Sequence, residues 1–444
     1  MAGGISKKCG FPDHLNRIWI VYQNLMDKVS LDSVMKNLLA KSRILQKFQP
    51  KMWWAVLAAI LILLISWGLV RKNNDAAPDQ VTMLNANLDP VAIKNPDAET
   101  VRKIAEIEDI FRRKKNVGFN GNVLIVQKGQ ILFQKSIGFA HLREKDSLTS
   151  ESKFQLASLS KPFTAIAILK LVQEGKVSLD DSVQRFFPDF PYHGVKVDML
   201  LSHRSGLPNY IYSFPDSVRH GKKYPSNLTV MEWYAKVSPT PTPYNKPGRS
   251  FNYCNTNYCV LAAIVEQVTG AGFGNYLHNN IFAPLGMTST FLGTDTSNAA
   301  MQFRTVGHQY GRKLAKDYYD DVVGDKGLYS TTRDIYRFYN GLTKGLLLDK
   351  KLLAEAFKPR SFERQGIRNY GYGFRMHINE DHSTRFLYHG GWWKGYNTML
   401  WVAPEDEAVI IVLGNSYNRS IYDLKELLQV IHGDEKIAEI EKDI

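Results

Sequence analysis

The sequence predicts an α+β fold: one antiparallel sheet of five or more strands flanked by helices, a mainly helical subdomain inserted in it, and a separate transmembrane helix ahead of it. Three observations carry this. Two strand-like runs form a hairpin pattern within residues 122–139, and three more return within 371–413, with helical periodicity between them. Strands at both ends of one globular stretch pair most simply in a single sheet, with the intervening helices packed against it. Third, Met52–Val70 is 19 residues without an ionisable side chain.

The composition fits a globular chain with an attachment. Of 444 residues 44% are hydrophobic and 22% charged, which excludes wholesale disorder, a collagen and a polytopic transporter. The cysteines are Cys9, Cys254 and Cys259, too few for a disulfide scaffold, and no Cys/His cluster has the spacing of structural zinc. Neither a metal nor another cofactor is expected.

Residues 1–51 read as a basic cytoplasmic helical segment. Ile18, Tyr22, Leu25 and Val29, then Val34, Leu38 and Leu45, recur at three- and four-residue spacing, with lysines between. The segment suits a membrane-hugging helix or a partner-binding one. Residues 52–70 form the transmembrane helix. At ~1.5 Å per residue it covers roughly 28 Å, the thickness of a bilayer's hydrocarbon. Trp53, Trp54 and Trp67 lie near its two ends, where indoles favour the interface. A cleavable signal peptide would begin closer to the N-terminus. Residues 71–100 (Asn, Asp, Ala and Pro rich) read as a linker.

Charge sets the orientation. Residues 1–51 carry nine Lys and Arg against three Asp, whereas acids exceed bases in 71–100. The positive-inside rule puts the N-terminus in the cytoplasm and everything after residue 71 across a cytoplasmic (inner) membrane, as in a bacterial periplasm. Roughly half of the formal charge of +13 is thereby accounted for, and the rest is diffuse. With no basic run interleaved with aromatics, nucleic acid is not an expected partner. The bilayer is one, through residues 52–70; protein partners are not specified by the sequence.

Residues 101–444 read as one catalytic domain, its sheet part about 101–150 and 365–444 and its helical part about 151–364. Ile104, Ile107, Ile110 and Phe111 mark an amphipathic helix. Asn122–Gln127, a Lys-Gly-Gln turn and Ile131–Phe139 read as the hairpin. Gly371–Ile378, Asn397–Ala403 and Ala408–Leu413 read as the late strands, and Leu424–Ile431 as a closing helix.

Three short motifs carry candidate chemistry. Ser158-Leu159-Ser160-Lys161 is an S-x-x-K at the start of an apolar helix, with Pro162 tolerated in its first turn. Residues at i and i+3 share a helix face, so the Lys161 amine reaches the Ser158 hydroxyl and can take its proton. S-x-x-K also occurs at Ser33–Lys36 and Ser150–Lys153, but the first is cytoplasmic and the second has no following helix. Tyr253-Cys254-Asn255 precedes a helix over Tyr258–Thr269. A tyrosine there can shuttle a proton, and an asparagine amide can hold a carbonyl. Cys254 and Cys259 read as two packed thiols, since a bond between them would be strained. His389-Gly390-Gly391-Trp392 lies on a late strand, where glycines allow close backbone approach. A backbone N–H there and the N–H of Ser158 could form an oxyanion hole.

The order of these motifs resembles the serine β-lactamase and penicillin-binding superfamily, and within it the class C β-lactamase-related branch of D-alanyl-D-alanine carboxypeptidases, D-aminopeptidases and family VIII esterases. The resemblance covers roughly 105–432 and extends to Leu200–Pro208, Pro247-Gly248, Gly327–Thr331 and Gly371–Phe374. It implies that Ser158 is the acylated nucleophile, that Lys161 and Tyr253 move its proton, and that Asn255, His389, Gly391 and Trp392 bind substrate, with the Trp392 N–H as second oxyanion donor. His389 replaces the Lys of true β-lactamases, which points away from efficient antibiotic hydrolysis; Lys394 could supply a substitute charge. The expected function is a membrane-anchored serine hydrolase acting through an acyl-enzyme on a peptide or amide, including D-amino-acid substrates of cell-wall type. A small-ester esterase and a penicillin-recognising sensor without turnover are the alternatives.

Overall fold

The computed structural model describes residues 87–214, 224–363, 366 and 368–433, which fall within one compact unit spanning 79–444. The predicted cytoplasmic segment, the membrane helix and the linker as far as residue 86 lie outside the described residues. Among the described residues no helix is long and apolar enough to cross a membrane.

Eight strands form the main sheet: β1 (Val91–Ala92), β2 (Gly121–Gln127), β3 (Gln130–Ile137), β4 (Arg368–Tyr370), β5 (Arg375–Ile378), β6 (Thr384–Trp393), β7 (Tyr396–Ala403) and β8 (Ala408–Gly414). Their spatial order is β1-β3-β2-β8-β7-β6-β5-β4. The early hairpin therefore joins the late strands where β2 pairs antiparallel with β8, from Gly121 opposite Gly414 to Gln127 opposite Ala408. All neighbours are antiparallel except the short edge strand β1, which runs parallel to β3. Lys128 and Gly129 both take positive φ (50° and 73°), the two-residue turn whose twist suits a hairpin.

Both faces of the central strands are covered, so their sequences are continuous apolar runs rather than alternating ones. Val123, Ile125, Met399, Trp401, Ile410 and Val412 point to one side. There α1 (Ala98–Asn116) supplies Ile107, Ile110 and Phe111, and α5 (Lys425–His432) supplies Leu427, Leu428 and Ile431. Leu124, Val126, Leu387, Leu400, Val402, Val409 and Ile411 point to the other side, onto a larger core. That core contains α2 (Lys161–Gln173), α3 (Asn255–Thr269) and α4 (Thr332–Thr343).

Two expectations shift in detail. The strand expected over Gly371–Ile378 is confined to Arg375–Ile378. Gly373 ahead of it has φ of 82°, and a Cβ there would stand 2.5 Å from the Ala165 Cβ on α2, so the chain bends at this glycine against the helix. The helix expected to open at Ser158 begins instead at Lys161, after a tight turn over Ala157–Ser160.

Candidate active site

The chain reaches Ser158 along a short strand, Phe154–Gln155, which pairs with Leu328–Ser330. The Leu156 N–H then donates to the Leu328 carbonyl at 2.7 Å. Ala157 follows with φ of 50°, a left-handed conformation that costs about 1 kcal/mol or more in an alanine. This bend leaves Ser158 partly exposed while every neighbour from Ser152 to Phe163 is buried. The Ser158 hydroxyl does not cap the helix. The capping position is Ser160, whose Oγ accepts from the Leu328 N–H at 3.3 Å.

Lys161 is fully buried. Its Nζ donates to Ser158 Oγ (3.1 Å), to Asn255 Oδ1 (2.9 Å) and to the Asp325 carbonyl oxygen (2.8 Å). The i, i+3 spacing brings amine and hydroxyl together as the sequence implies. Of the other S-x-x-K pairs, Ser150–Lys153 is split: Lys153 Nζ donates to the Ala299 carbonyl and Ser150 Oγ to Glu151. Ser33–Lys36 lies outside the described residues.

Asn255 is the first residue of α3, and Tyr253 lies two residues ahead of it. The intervening Cys254 is extended (φ −142°, ψ 126°), which puts residues 253 and 255 on one side and the Cys254 side chain on the other, in the core. Cys254 and Cys259 are both buried free thiols. The Tyr253 ring centroid lies 5.0 Å from Lys161 Nζ and 4.7 Å from the Arg375 guanidinium carbon. Behind it, 4.3 Å away, lies the His203 ring. His203 Nδ1 accepts from the Cys254 N–H (3.2 Å) and from Asn257 Nδ2 (3.0 Å), so its proton sits on Nε2. Burial, then the nearby Lys161 and Arg375 charges, hold this imidazole far below its ordinary range, and it is neutral.

The strand β6 closes the other side. Gly391 approaches the nucleophile turn so closely that a Cβ there would stand 2.2 Å from the Leu156 carbonyl oxygen and 3.0 Å from the Ser158 nitrogen. The glycine thus serves contact between two backbones, whereas the sequence suggested room for a ligand. His389 shares that face of the strand, two residues earlier, and is fully buried. Its Nδ1 donates to the Gly390 carbonyl (2.8 Å), which leaves Nε2 to accept from the Tyr370 hydroxyl (3.2 Å). Burial, followed by Arg375 and Lys161, keeps its pKa well below the ordinary value. The structure thus places His389 against Tyr370 and its own strand, with no exposed face; a direct substrate contact would require it to move. Trp392 turns its ring away from this face; the indole is 61% exposed and lies 6.0 Å from the Tyr417 ring. Lys394 forms an ion pair with Asp317 at 2.7 Å, so its charge is already balanced.

Sequence reasoning missed Arg375, His203 and Tyr370. Arg375 stands opposite Tyr388 in the β5–β6 pairing and brings a permanent cation to the Tyr253 ring. No local motif marks it, because only strand register carries it there. His203 lies within the Leu200–Pro208 segment that entered the resemblance without a role. Among the described residues no cluster of His, Cys, Asp or Glu could hold a metal ion.

A buried amine three hydrogen bonds deep, one of them on a partly exposed serine that follows a left-handed alanine, can activate that serine as a nucleophile. Comparisons with known proteins bear on the domain as a whole. The Beta-lactamase family profile matches residues 110–429. Penicillin-binding protein 4* of Bacillus subtilis (strain 168) is 32% identical over 320 residues, 69% of this chain and 70% of that protein. D-aminopeptidase of Brucella anthropi is 26% identical over 298 residues, 67% of this chain and 56% of that protein. The structure of D-amino acid amidase from Ochrobactrum anthropi SV3 with L-phenylalanine amide superposes with a TM-score of 0.60 at 26% identity, over 77% of this chain and 99% of that one.

Proposed function

The chain belongs to the Beta-lactamase family of serine hydrolases, and from that premise we propose that it hydrolyses the amide bond of a D-amino-acid peptide or amide through an acyl-enzyme on Ser158. The observation that carries the reading is the contact between Lys161 Nζ and Ser158 Oγ at 3.1 Å.

In this mechanism Lys161, once it has released a proton to solvent, takes the Ser158 proton while Oγ attacks the substrate carbonyl carbon. The N–H groups of Ser158 and Trp392 receive the oxyanion, and Asn255 Nδ2 holds a carbonyl of the bound substrate. The C–N bond breaks as the leaving amine takes a proton relayed from Lys161 through Tyr253. Water then attacks the acyl ester, giving up its proton by the reverse route, and Ser158 leaves with its hydroxyl restored. Arg375 gives the pocket a positive charge beside Tyr253. Two relatives, a D-aminopeptidase and a D-amino acid amidase, support the substrate class. The buried, neutral His389 and the ion-paired Lys394 leave β-lactam carboxylates without a cation at that strand, which favours amide over β-lactam turnover.

The 19-residue apolar run and the charge asymmetry around it support anchoring in a cytoplasmic membrane with the hydrolase domain outside. The test is turnover by the full-length chain in detergent on D-phenylalanine amide, a D-Ala-D-Ala peptide, p-nitrophenyl acetate and nitrocefin. The reading expects amide turnover that is lost in Ser158→Ala. Ester turnover without any amide turnover makes the protein an esterase, a permanent penicillin adduct makes it a sensor, and activity surviving Ser158→Ala removes the nucleophile. Protease shaving of intact spheroplasts should cut the hydrolase domain; its protection would reverse the topology.

A further inference from the structure

Behind Lys161 lies a charged group that the mechanism above does not use. Asp325 and Lys326 are 1% and 3% exposed, with Lys326 Nζ 3.4 Å from Asp325 Oδ1. Tyr210 completes the cluster: its hydroxyl donates to Asp325 Oδ2 (3.0 Å) and accepts from Lys326 Nζ (2.6 Å). Lys326 Nζ also donates to the Val322 carbonyl at 3.0 Å. A buried ion pair is weak evidence for stability, because desolvation offsets most of the attraction, so its presence beside a reacting amine calls for another account.

The backbone around the pair supplies it. Gly324 and Gly327 bracket the pair with φ of 97° and 99°. A Cβ on Gly324 would stand 2.4 Å from the Tyr258 carbonyl oxygen on α3, while its own carbonyl accepts from Thr164 Oγ1 on α2 at 2.7 Å. The turn is wedged between the two helices that carry Lys161 and Asn255, and the Asp325 carbonyl emerges from it onto Lys161 Nζ. Once Lys161 has released a proton to solvent, its amine has two hydrogens and one lone pair. With those hydrogens kept on Asn255 Oδ1 and the Asp325 carbonyl, the lone pair replaces the donor that faces Ser158 Oγ.

We propose that Tyr210, Asp325 and Lys326 are positioning residues for Lys161: their buried hydrogen-bonded cluster fixes the Asp325 carbonyl, and that carbonyl aims the Lys161 lone pair at the Ser158 proton. The inference rests on the reading of Ser158 as nucleophile and Lys161 as base. Because Tyr210 begins the short helix Tyr210–Ser213, and its N–H donates to Thr256 Oγ1 on α3, the same cluster ties the loop ahead of residue 214 to the base.

The test uses the full-length chain and a fluorophosphonate, whose P–F bond breaks as Ser158 Oγ bonds phosphorus and Lys161 takes the proton. The maximal labelling rate reads base alignment, and the half-saturating concentration reads binding. Lys326→Met and Asp325→Asn each strand one buried partner; each is expected to slow the maximal rate about 30-fold with half-saturation within about twofold of wild type. The double variant leaves no unpaired charge and is expected to recover about tenfold of that loss. Tyr210→Phe, which removes one hydroxyl and keeps the fold should the single-charge variants fail to express, is expected to slow the maximal rate about fivefold. Rates within threefold of wild type in every variant, or losses that appear in half-saturation alone, overturn the inference. The parent reading fails separately, if Ser158→Ala is labelled as fast as wild type.

Discussion

Lys161 and Tyr253 meet at 5.0 Å, amine over ring, and are held in opposite ways. Lys161 is sealed, with hydrogen bonds to three oxygens from three separate segments. Tyr253 is half-buried and held by ring packing against His203 and by two flanking cations, while its hydroxyl makes no hydrogen bond among the described residues. Hydrogen bonds fix direction and ring contacts fix place. In the proposed mechanism the base, which points one way throughout, has the first kind of support. The proposed proton relay, which serves a leaving amine and then a water, has the second, with its hydroxyl free to turn.

Breaking the directed side should cost most. Lys161→Met keeps the side chain's length and removes its donors and lone pair; kcat/KM on an amide is expected to fall by about 10³-fold or more. A loss below tenfold would place the base elsewhere.

Tyr253→Phe keeps the ring contacts and removes the free hydroxyl. Its effect should depend on the leaving group: about 100-fold on an amide, whose amine must be protonated, and under about tenfold on a p-nitrophenyl ester, whose phenolate leaves unaided. Equal losses on both substrates would show that Tyr253 acts on the attack step, as Lys161 does.

Acid should loosen the ring-packed side before the directed one. His203 and His389 are held neutral far below the ordinary imidazole range by burial, and His377 on β5 is pushed down to about 4, also by burial. Unfolded histidine titrates near 6.5, so below that pH the unfolded chain binds protons that the fold refuses. The stability these groups contribute is present above pH 6.5 and is lost as pH falls, for His377 as it approaches about 4. The melting temperature is expected to drop by several degrees between about pH 7 and pH 5. A flat or rising profile would mean these rings are protonated in the fold.

The smallest effect belongs to Lys394. Already paired with Asp317, it should tolerate Lys394→Ala with kcat/KM within about threefold on amides and nitrocefin alike. A larger selective loss on nitrocefin would make it the substitute cation for a β-lactam carboxylate.

What was legible in the sequence follows the range of the interactions. Ser158 and Lys161 are three residues apart, and helical geometry alone joins them. The β2–β3 hairpin could be read from its apolar runs and its Lys-Gly turn. Tyr253 and Asn255 could be singled out but not placed, since the extended Cys254 that turns them to one side is a backbone fact. Gly391 was readable as a close approach, but its partner, the turn before Ser158, lies more than 230 residues away. Arg375 and the Asp325–Lys326 pair had no local pattern at all. Strand register brings the first to Tyr253, and two left-handed glycines bring the second to Lys161. His389 could be found from H-G-G, but its burial depends on Tyr370, which comes from another strand.

Acid quenching of the full-length chain during turnover of D-phenylalanine amide, followed by digestion and peptide mass measurement, tests the central claim most directly. A transient adduct with the mass of the D-phenylalanyl group should appear on the peptide containing Ser158 and be absent from Ser158→Ala. An adduct on a different residue, or turnover in which both proteins carry the same adduct, would contradict it.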